Sequence, residues 1–94
     1  MNLRIQYTAQ LRTAAGKSED QIDLPASSTL ATLITHLATR LHNSAAAHLL
    51  SSTGQPHQSL LILLNNSLIP SQNVPTTILH QGDTITFLPP IAGG

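Results

Sequence analysis

The chain has 94 residues, a formal net charge of zero, only 9% charged side chains and no cysteine. This length supports one domain with a single modest core. Without a basic face or a cationic helix, we expect no binding to nucleic acid or to membrane surfaces. The lack of cysteine excludes disulfides, thiolate nucleophiles and cysteine-based metal sites. Because no apolar run has transmembrane length and no signal peptide is visible, we expect a cytoplasmic protein.

The first quarter of the sequence predicts an antiparallel pair of strands. Residues 3–8 alternate apolar and polar side chains, with the odd-numbered side chains facing inward. Residues 9–15 are expected to form a short connection, with room for a helical turn, that closes at Gly16. A second alternating stretch at 21–24 completes the predicted hairpin.

Residues 30–41 carry the pattern of an amphipathic helix. Apolar side chains recur at i, i+3 and i+4, and Ser28 and Thr29 are natural N-caps before them. Residues 43–58 give no clear pattern, apart from one or two possible helical turns at 45–50. One long helix is therefore available to cover a sheet.

The C-terminal half predicts the remaining strands. The continuous apolar run 60–64 is expected to form a strand covered on both faces. A turn leads to a short edge strand at 68–69, and a following loop is expected to bury either Ile78 or Leu79. Residues 84–88 alternate again. The order β-β-α-β-β favours a single mixed sheet wrapped around one helix.

The last six residues form an extended and slim C-terminal tail. The two prolines bias the chain toward an extended conformation, and the two glycines have no Cβ that would obstruct a narrow channel. Taken alone, a frayed end or a cloning remnant is the more common explanation of such a tail. The predicted domain is residues 1–88, and the tail consists of Pro89, Pro90, Ile91, Ala92, Gly93 and Gly94.

Four stretches of the chain fit short sequence motifs. Residues 7–16 are similar to F-A-x-L-R-x-x-x-G, residues 64–65 to V-N, and residues 81–85 to D-G-D-E-V. Residues 87–94 are similar to F-x-P-P-V-x-G-G almost residue by residue. Together these motifs resemble those of MoaD-type proteins, the small sulfur-carrying subunits of molybdopterin synthase. The resemblance is out of register only within 43–58. It implies an α+β protein with the ubiquitin-like β-grasp fold, a mixed sheet of four to five strands packed on one main helix.

The resemblance implies a sulfur carrier and not a catalyst. An adenylyltransferase related to ubiquitin-activating enzymes would use ATP to convert the Gly94 carboxylate to an acyl-adenylate, and a sulfur donor would convert this to a thiocarboxylate. The sulfur would pass to cyclic pyranopterin monophosphate held by the large subunit of molybdopterin synthase. The chain itself would bind no cofactor. We expect no metal site either, because the five histidines lack ligand spacing and are interpreted as surface polar residues.

A docking surface is expected beside the tail, on the sheet face away from the helix. Strand alternation places Thr8 and Leu88 outward, and Leu68 resembles a family contact position. An equally weighted alternative is that Leu68 closes a small satellite core. We also expect the tail to be mobile when the protein is free.

Other functions remain open. The carrier could supply sulfur to thiazole, cysteine or tRNA, or the chain could be a ubiquitin-like modifier joined to protein lysines through Gly94. A plain β-grasp interaction module is a further alternative, and it predicts that removing the tail leaves function intact.

Overall fold

The computed structural model describes residues 1–40 and 60–88, and within them the chain forms a five-stranded mixed sheet with a helix packed on one face. The strands are β1 (Asn2–Tyr7), β2 (Glu19–Asp23), β3 (Leu61–Leu64), β4 (Ser67–Ile69) and β5 (Thr84–Leu88), and the helices are α1 (Ala9–Ala15), α2 (Leu30–Arg40) and a 3-10 helix at Ser71–Thr76. In these two ranges of the chain, no helix has the length and hydropathy needed to cross a membrane.

The first and last strands lie side by side at the centre of the sheet. The strand order is β2-β1-β5-β3-β4. β1 and β5 are parallel, with Tyr7 opposite Phe87, and the other neighbouring strands are antiparallel. A mixed sheet of this order on one main helix is the ubiquitin-like β-grasp architecture predicted from the sequence.

The core lies between α2 and one face of the sheet. Because side chains alternate along a strand, the odd-numbered residues of β1 are buried, and so are Ile85 and Phe87 of β5, as predicted. The helix contributes the i, i+3, i+4 positions of its apolar stripe. These buried helix residues are Leu30, Leu33, Ile34 and Leu37.

The start of α2 is capped and tied to the segment before β5. Thr29 is the N-cap, since its Oγ1 accepts a hydrogen bond from the Thr32 backbone N at 3.2 Å. The Ser28 carbonyl accepts from the Leu79 backbone N at 2.9 Å. Of the two predicted loop anchors, Leu79 is buried and Ile78 is exposed.

The structure corrects three details of the sequence predictions. The expectation that β3 is covered on both faces is wrong, because α2 covers one face only; Ile62 is buried there, while Leu61 is 52% exposed on the other face. β2 begins at Glu19, two residues before the predicted start at Gln21. The 3-10 helix at Ser71–Thr76 was not predicted.

Some predictions concern residues outside the described ranges. These are the end of the helix at Leu41, the turns at 45–50 and the mobility of the tail at 89–94. They stay predictions.

Tyr7 is a buried titratable residue in the core. Tyr7 is only 2% exposed, and its hydroxyl has no hydrogen-bond partner within the described ranges. Burial and, to a smaller extent, the nearby Asp20 carboxylate raise the pKa of Tyr7 to about 12, against a smaller opposing effect of Arg40. The neutral phenol is therefore strongly favoured in the folded protein.

We expect the folded protein to lose stability above the ordinary tyrosine pKa of 10.0. Below this pH the contribution of Tyr7 to the free energy of unfolding is fully present. It is lost as the pH rises toward the folded pKa, because the unfolded chain releases the tyrosine proton first. For a two-unit pKa shift, the full loss is about 2–3 kcal/mol. Tyr7→Phe is expected to remove this loss. Urea unfolding of both proteins at neutral pH and at a pH between the two pKa values tests it. Equal alkaline losses in both proteins would contradict the assignment to Tyr7, the only tyrosine.

Candidate functional site

The end of β5 leads directly into the predicted tail. Alternation with the buried Phe87 places Leu88 on the open face of the sheet, away from α2. The neighbouring Thr8, the residue directly after β1, is half-buried, and its Oγ1 donates a hydrogen bond to the Phe87 carbonyl at 2.9 Å. Thr8 was predicted as a docking residue; in the structure its hydroxyl binds the backbone of β5 one residue before Leu88.

Four leucines form an apolar patch on the open face, and we call them the leucine patch: Leu61, Leu63, Leu68 and Leu88. Leu61 lies opposite Leu88 in the β3–β5 pair, and Leu63 lies opposite Leu68 in the β3–β4 pair. Directly opposed residues share one face, with Cβ atoms in side-chain contact range. Leu61 and Leu68 are 52% and 58% exposed, and the other two are half-buried. The chain thus presents a continuous apolar surface next to the point where the tail begins.

The structure places Leu68 and Leu88 on the predicted face and adds two residues to them. Leu68 is too exposed to close a satellite core, so that alternative is wrong. Leu61 and Leu63 were missed because a run of five apolar residues shows no alternation. The pairing register of β3 with β4 and β5 shows that Leu61 and Leu63 face outward, and local sequence patterns do not reveal that register.

The charged residues of the open face lie away from the leucine patch. Arg4 and Glu19, on the β1–β2 side, approach to 3.7 Å between Nε and Oε1. Between this pair and the leucines, Thr86 donates a hydrogen bond from its Oγ1 to Gln6 Oε1 at 2.9 Å. The patch is therefore bordered by uncharged groups on this side, which favours an apolar partner surface over a charged one.

Two motif residues act together to set the position of β3 relative to β5. Asn65, in a turn with a positive φ of 50°, donates from Nδ2 to Asp83 Oδ1 at 2.9 Å and accepts from the Thr84 backbone N at 2.9 Å. The second oxygen of Asp83 accepts from the His80 backbone N at 2.8 Å. The residues of the V-N-like and D-G-D-like motifs therefore have a structural role. Their hydrogen bonds hold the end of β3 against the start of β5 and so help to fix the pairing register that brings the leucine patch together.

Within residues 1–40 and 60–88, no group of three His, Cys, Asp or Glu is close enough to hold a metal ion. The tail residues of the predicted site, Pro89, Pro90, Ile91, Ala92, Gly93 and Gly94, lie outside the described ranges. Their roles stay predictions.

Within residues 1–40 and 60–88, the strand order, the covering helix α2 and the apolar open face beside β5 define a ubiquitin-like β-grasp protein. The chain belongs to the ThiS family, whose sequence profile matches residues 5–94. This family assignment confirms the resemblance to the MoaD- and ThiS-type ubiquitin-like sulfur carriers. The matched region includes both terminal glycines.

Solved structures share the fold over nearly the whole chain. SAMP1 from Haloferax volcanii has a TM-score of 0.84 at 18% identity, with 100% of both chains covered. Urm1 from Trypanosoma brucei has a TM-score of 0.78 at 22% identity, covering 99% of this chain and 95% of that one. A Pyrococcus furiosus protein provisionally named molybdopterin converting factor, subunit 1, has a TM-score of 0.75 at 22% identity, covering 97% and 99%. No curated protein sequence matches the chain. At these identities the likeness confirms the fold alone.

Proposed function

We propose that this protein is a cytoplasmic sulfur carrier and acts as the small subunit of a molybdopterin synthase. The observation that carries the proposal is the ThiS-family match, which continues to Gly94 and so includes the stretch 87–94 that resembles F-x-P-P-V-x-G-G. Because the family contains sulfur carriers and the C-terminal sequence resembles theirs, we take the Gly94 carboxyl as the reacting group.

The chemistry divides between the chain and its partners. A carboxylate is a poor electrophile, so a partner adenylyltransferase uses ATP to attach AMP to the Gly94 carboxylate and thereby supplies a good leaving group. A sulfur donor then displaces AMP and leaves a thiocarboxylate, whose sulfur is nucleophilic. The large synthase subunit holds cyclic pyranopterin monophosphate, which receives this sulfur. Gly94 is the carrier of the sulfur and not a catalytic residue.

The leucine patch supports the role of the folded body as a docking module. Exposed apolar side chains that are contiguous and adjoin a reactive segment are candidate anchors for a partner. Leu88 is both a member of the patch and the last residue before the tail. A partner bound on the patch would therefore have its active site close to the start of the tail, which lowers the entropic cost of capturing it.

Intact mass spectrometry tests the proposed activation. After incubation with a cognate activating enzyme, ATP and a sulfur source, the protein should gain the mass difference between one sulfur and one oxygen. The chain without Gly94 is the matched control and should not gain it. The proposal fails if no candidate activating enzyme produces the gain, or if the truncated chain is modified equally well.

A second candidate function is that of a protein modifier. The observation favouring it is the fold likeness to SAMP1, which is named a small archaeal modifier protein. Recovery of the protein from cells separates the two: a molybdopterin synthase large subunit that co-purifies supports the carrier, whereas Gly94 joined to lysines of other proteins supports the modifier. Co-purification with an enzyme that makes thiazole or cysteine, or with one that adds sulfur to tRNA, would instead indicate a sulfur carrier with another acceptor.

A further inference from the structure

The turn between β3 and β4 contains two exposed asparagines whose side chains are held differently. Both have positive φ angles, 50° for Asn65 and 71° for Asn66. The Asn65 side chain is fixed at both ends, because its Nδ2 donates to Asp83 Oδ1 and its Oδ1 accepts from the Thr84 backbone N, each at 2.9 Å. The Asn66 side chain makes no hydrogen bond to any residue within 1–40 and 60–88. The two side-chain amides therefore differ in how freely they rotate.

An asparagine whose amide rotates freely is open to attack by the backbone nitrogen of the next residue. The nitrogen bonds to Cγ, ammonia leaves, and water then opens the cyclic succinimide. A small following residue leaves room for this attack, and Ser67 is small and exposed. Elsewhere in the two described ranges, Asn2 precedes Leu3, and Asn73 precedes the buried and branched Val74. The asparagine before Ser67 is therefore the best placed to react.

The attacking nitrogen, that of Ser67, lies in the last rung of the β3–β4 ladder. Ser67 is paired with Leu64, and a two-residue hairpin loop closes on a hydrogen-bonded pair of this kind. The Ser67 N–H must leave this bond before it reacts, and the terminal rungs of a sheet open more readily than central ones. The folded structure therefore slows the reaction at Asn66 without blocking it, whereas Asn65 must break two side-chain hydrogen bonds as well.

We propose that Asn66 is a modification site of this protein, where spontaneous deamidation gives a mixture of aspartate and isoaspartate. The Ser67 backbone nitrogen bonds to the Cγ of Asn66, and the bond from Cγ to the side-chain nitrogen breaks. One water molecule then opens the succinimide at either of its two carbonyls. In total, one carboxamide and one water become one carboxylate and one ammonium ion, with no oxidation or reduction.

The isoaspartyl product alters the leucine patch, because it adds one methylene to the main chain of the turn. A two-residue turn sets the register of the strands that it joins, and here that register puts Leu68 opposite Leu63. A longer turn therefore displaces Leu68 from the patch, whereas the aspartyl product adds only a charge. The consequence for docking rests on the proposed function, but the modification itself does not.

Ageing the full chain in mildly alkaline buffer, with and without urea, tests the site. The intact mass should rise by the difference between aspartate and asparagine, and fragmentation of a chymotryptic peptide should locate the change at Asn66. The preference for Asn66 over Asn65 should be large in the folded protein and should shrink in urea, because unfolding releases Asn65 from its two partners. Ser67→Val, which crowds the attacking nitrogen, should slow the reaction several-fold. No change at Asn66, or the same preference with and without urea, would overturn the assignment.

A comparison of two forms tests the effect on the leucine patch. Ion-exchange and reversed-phase chromatography isolate the isoaspartyl form, and Asn66→Asp is the matched control, because it adds the charge without the methylene. Nuclear Overhauser contacts between the Leu63 and Leu68 side chains should persist in Asn66→Asp and disappear in the isoaspartyl form. Contacts retained in the isoaspartyl form would overturn the effect on the patch. Neither experiment uses an activating enzyme, so a failure here leaves the proposed gain of sulfur untouched.

Discussion

Leu61→Asp is expected to weaken binding to the proposed activating enzyme by about 30-fold or more, the effect of losing a central hot-spot contact of about 2 kcal/mol. Leu61 lies between Leu63 and Leu88 on the open face and is 52% exposed in the free protein. A carboxylate there would be desolvated against an apolar partner surface without a compensating charge. Titration of the variant against the partner by calorimetry gives the affinity directly.

Ile78→Asp is the matched control for this experiment. Ile78 is 51% exposed, close to the value for Leu61, but it lies beside Thr29 at the start of α2 and outside the leucine patch. Its replacement should leave the affinity near that of the wild type. Equal losses in the two variants would show that any added charge weakens binding, and an undiminished affinity in Leu61→Asp would remove the leucine patch from the docking surface.

Phe87→Ala is expected to destabilise the fold by about 3–5 kcal/mol, the usual cost of a large cavity in a core. Phe87 is fully buried and lies on the central strand between Tyr7 and Ile62. Because domains of this size have a total stability of about 5–15 kcal/mol, the variant should lose a large share of its stability and unfold at a clearly lower temperature and urea concentration. Urea or thermal unfolding monitored by circular dichroism measures the change.

Thr86→Ala provides the comparison on the same strand. Thr86 points to the open face, and its hydroxyl donates one hydrogen bond to Gln6. Its loss should cost about 0.5–1.5 kcal/mol. If Thr86→Ala were as damaging as Phe87→Ala, the assignment of the core to the α2 face of the sheet would be contradicted.

Much of the fold could be predicted because its local patterns agree with its global arrangement. Period-two alternation gave the buried face of β1 and β5, and the i, i+3, i+4 pattern gave the buried stripe of α2. β3 was misjudged for a physical reason: Leu61 and Leu63 are apolar although they face outward. When the exposed face of a strand is also apolar, the sequence lacks the apolar–polar alternation that identifies a half-buried strand.

The candidate site was predicted only in part, because it depends on strand register. Leu88 could be oriented from its own strand, and Leu68 came from a family resemblance. Leu61 and Leu63 join them only because β3 lies between β4 and β5, and that order cannot be derived from local patterns. The role of Thr8 depends likewise on a hydrogen bond to Phe87, which is distant in the sequence.

The parallel pairing of β1 with β5 has a consequence for how the chain folds. Gln6 and Thr86 meet across 80 positions of sequence, so the central pair of the sheet forms only after a long loop has closed, and contacts of such separation slow folding. A nascent chain cannot complete this sheet until its last strand has been synthesised. The same strand leads into residues 89–94, so the proposed reacting group, the Gly94 carboxyl, is synthesised only after every strand of this sheet.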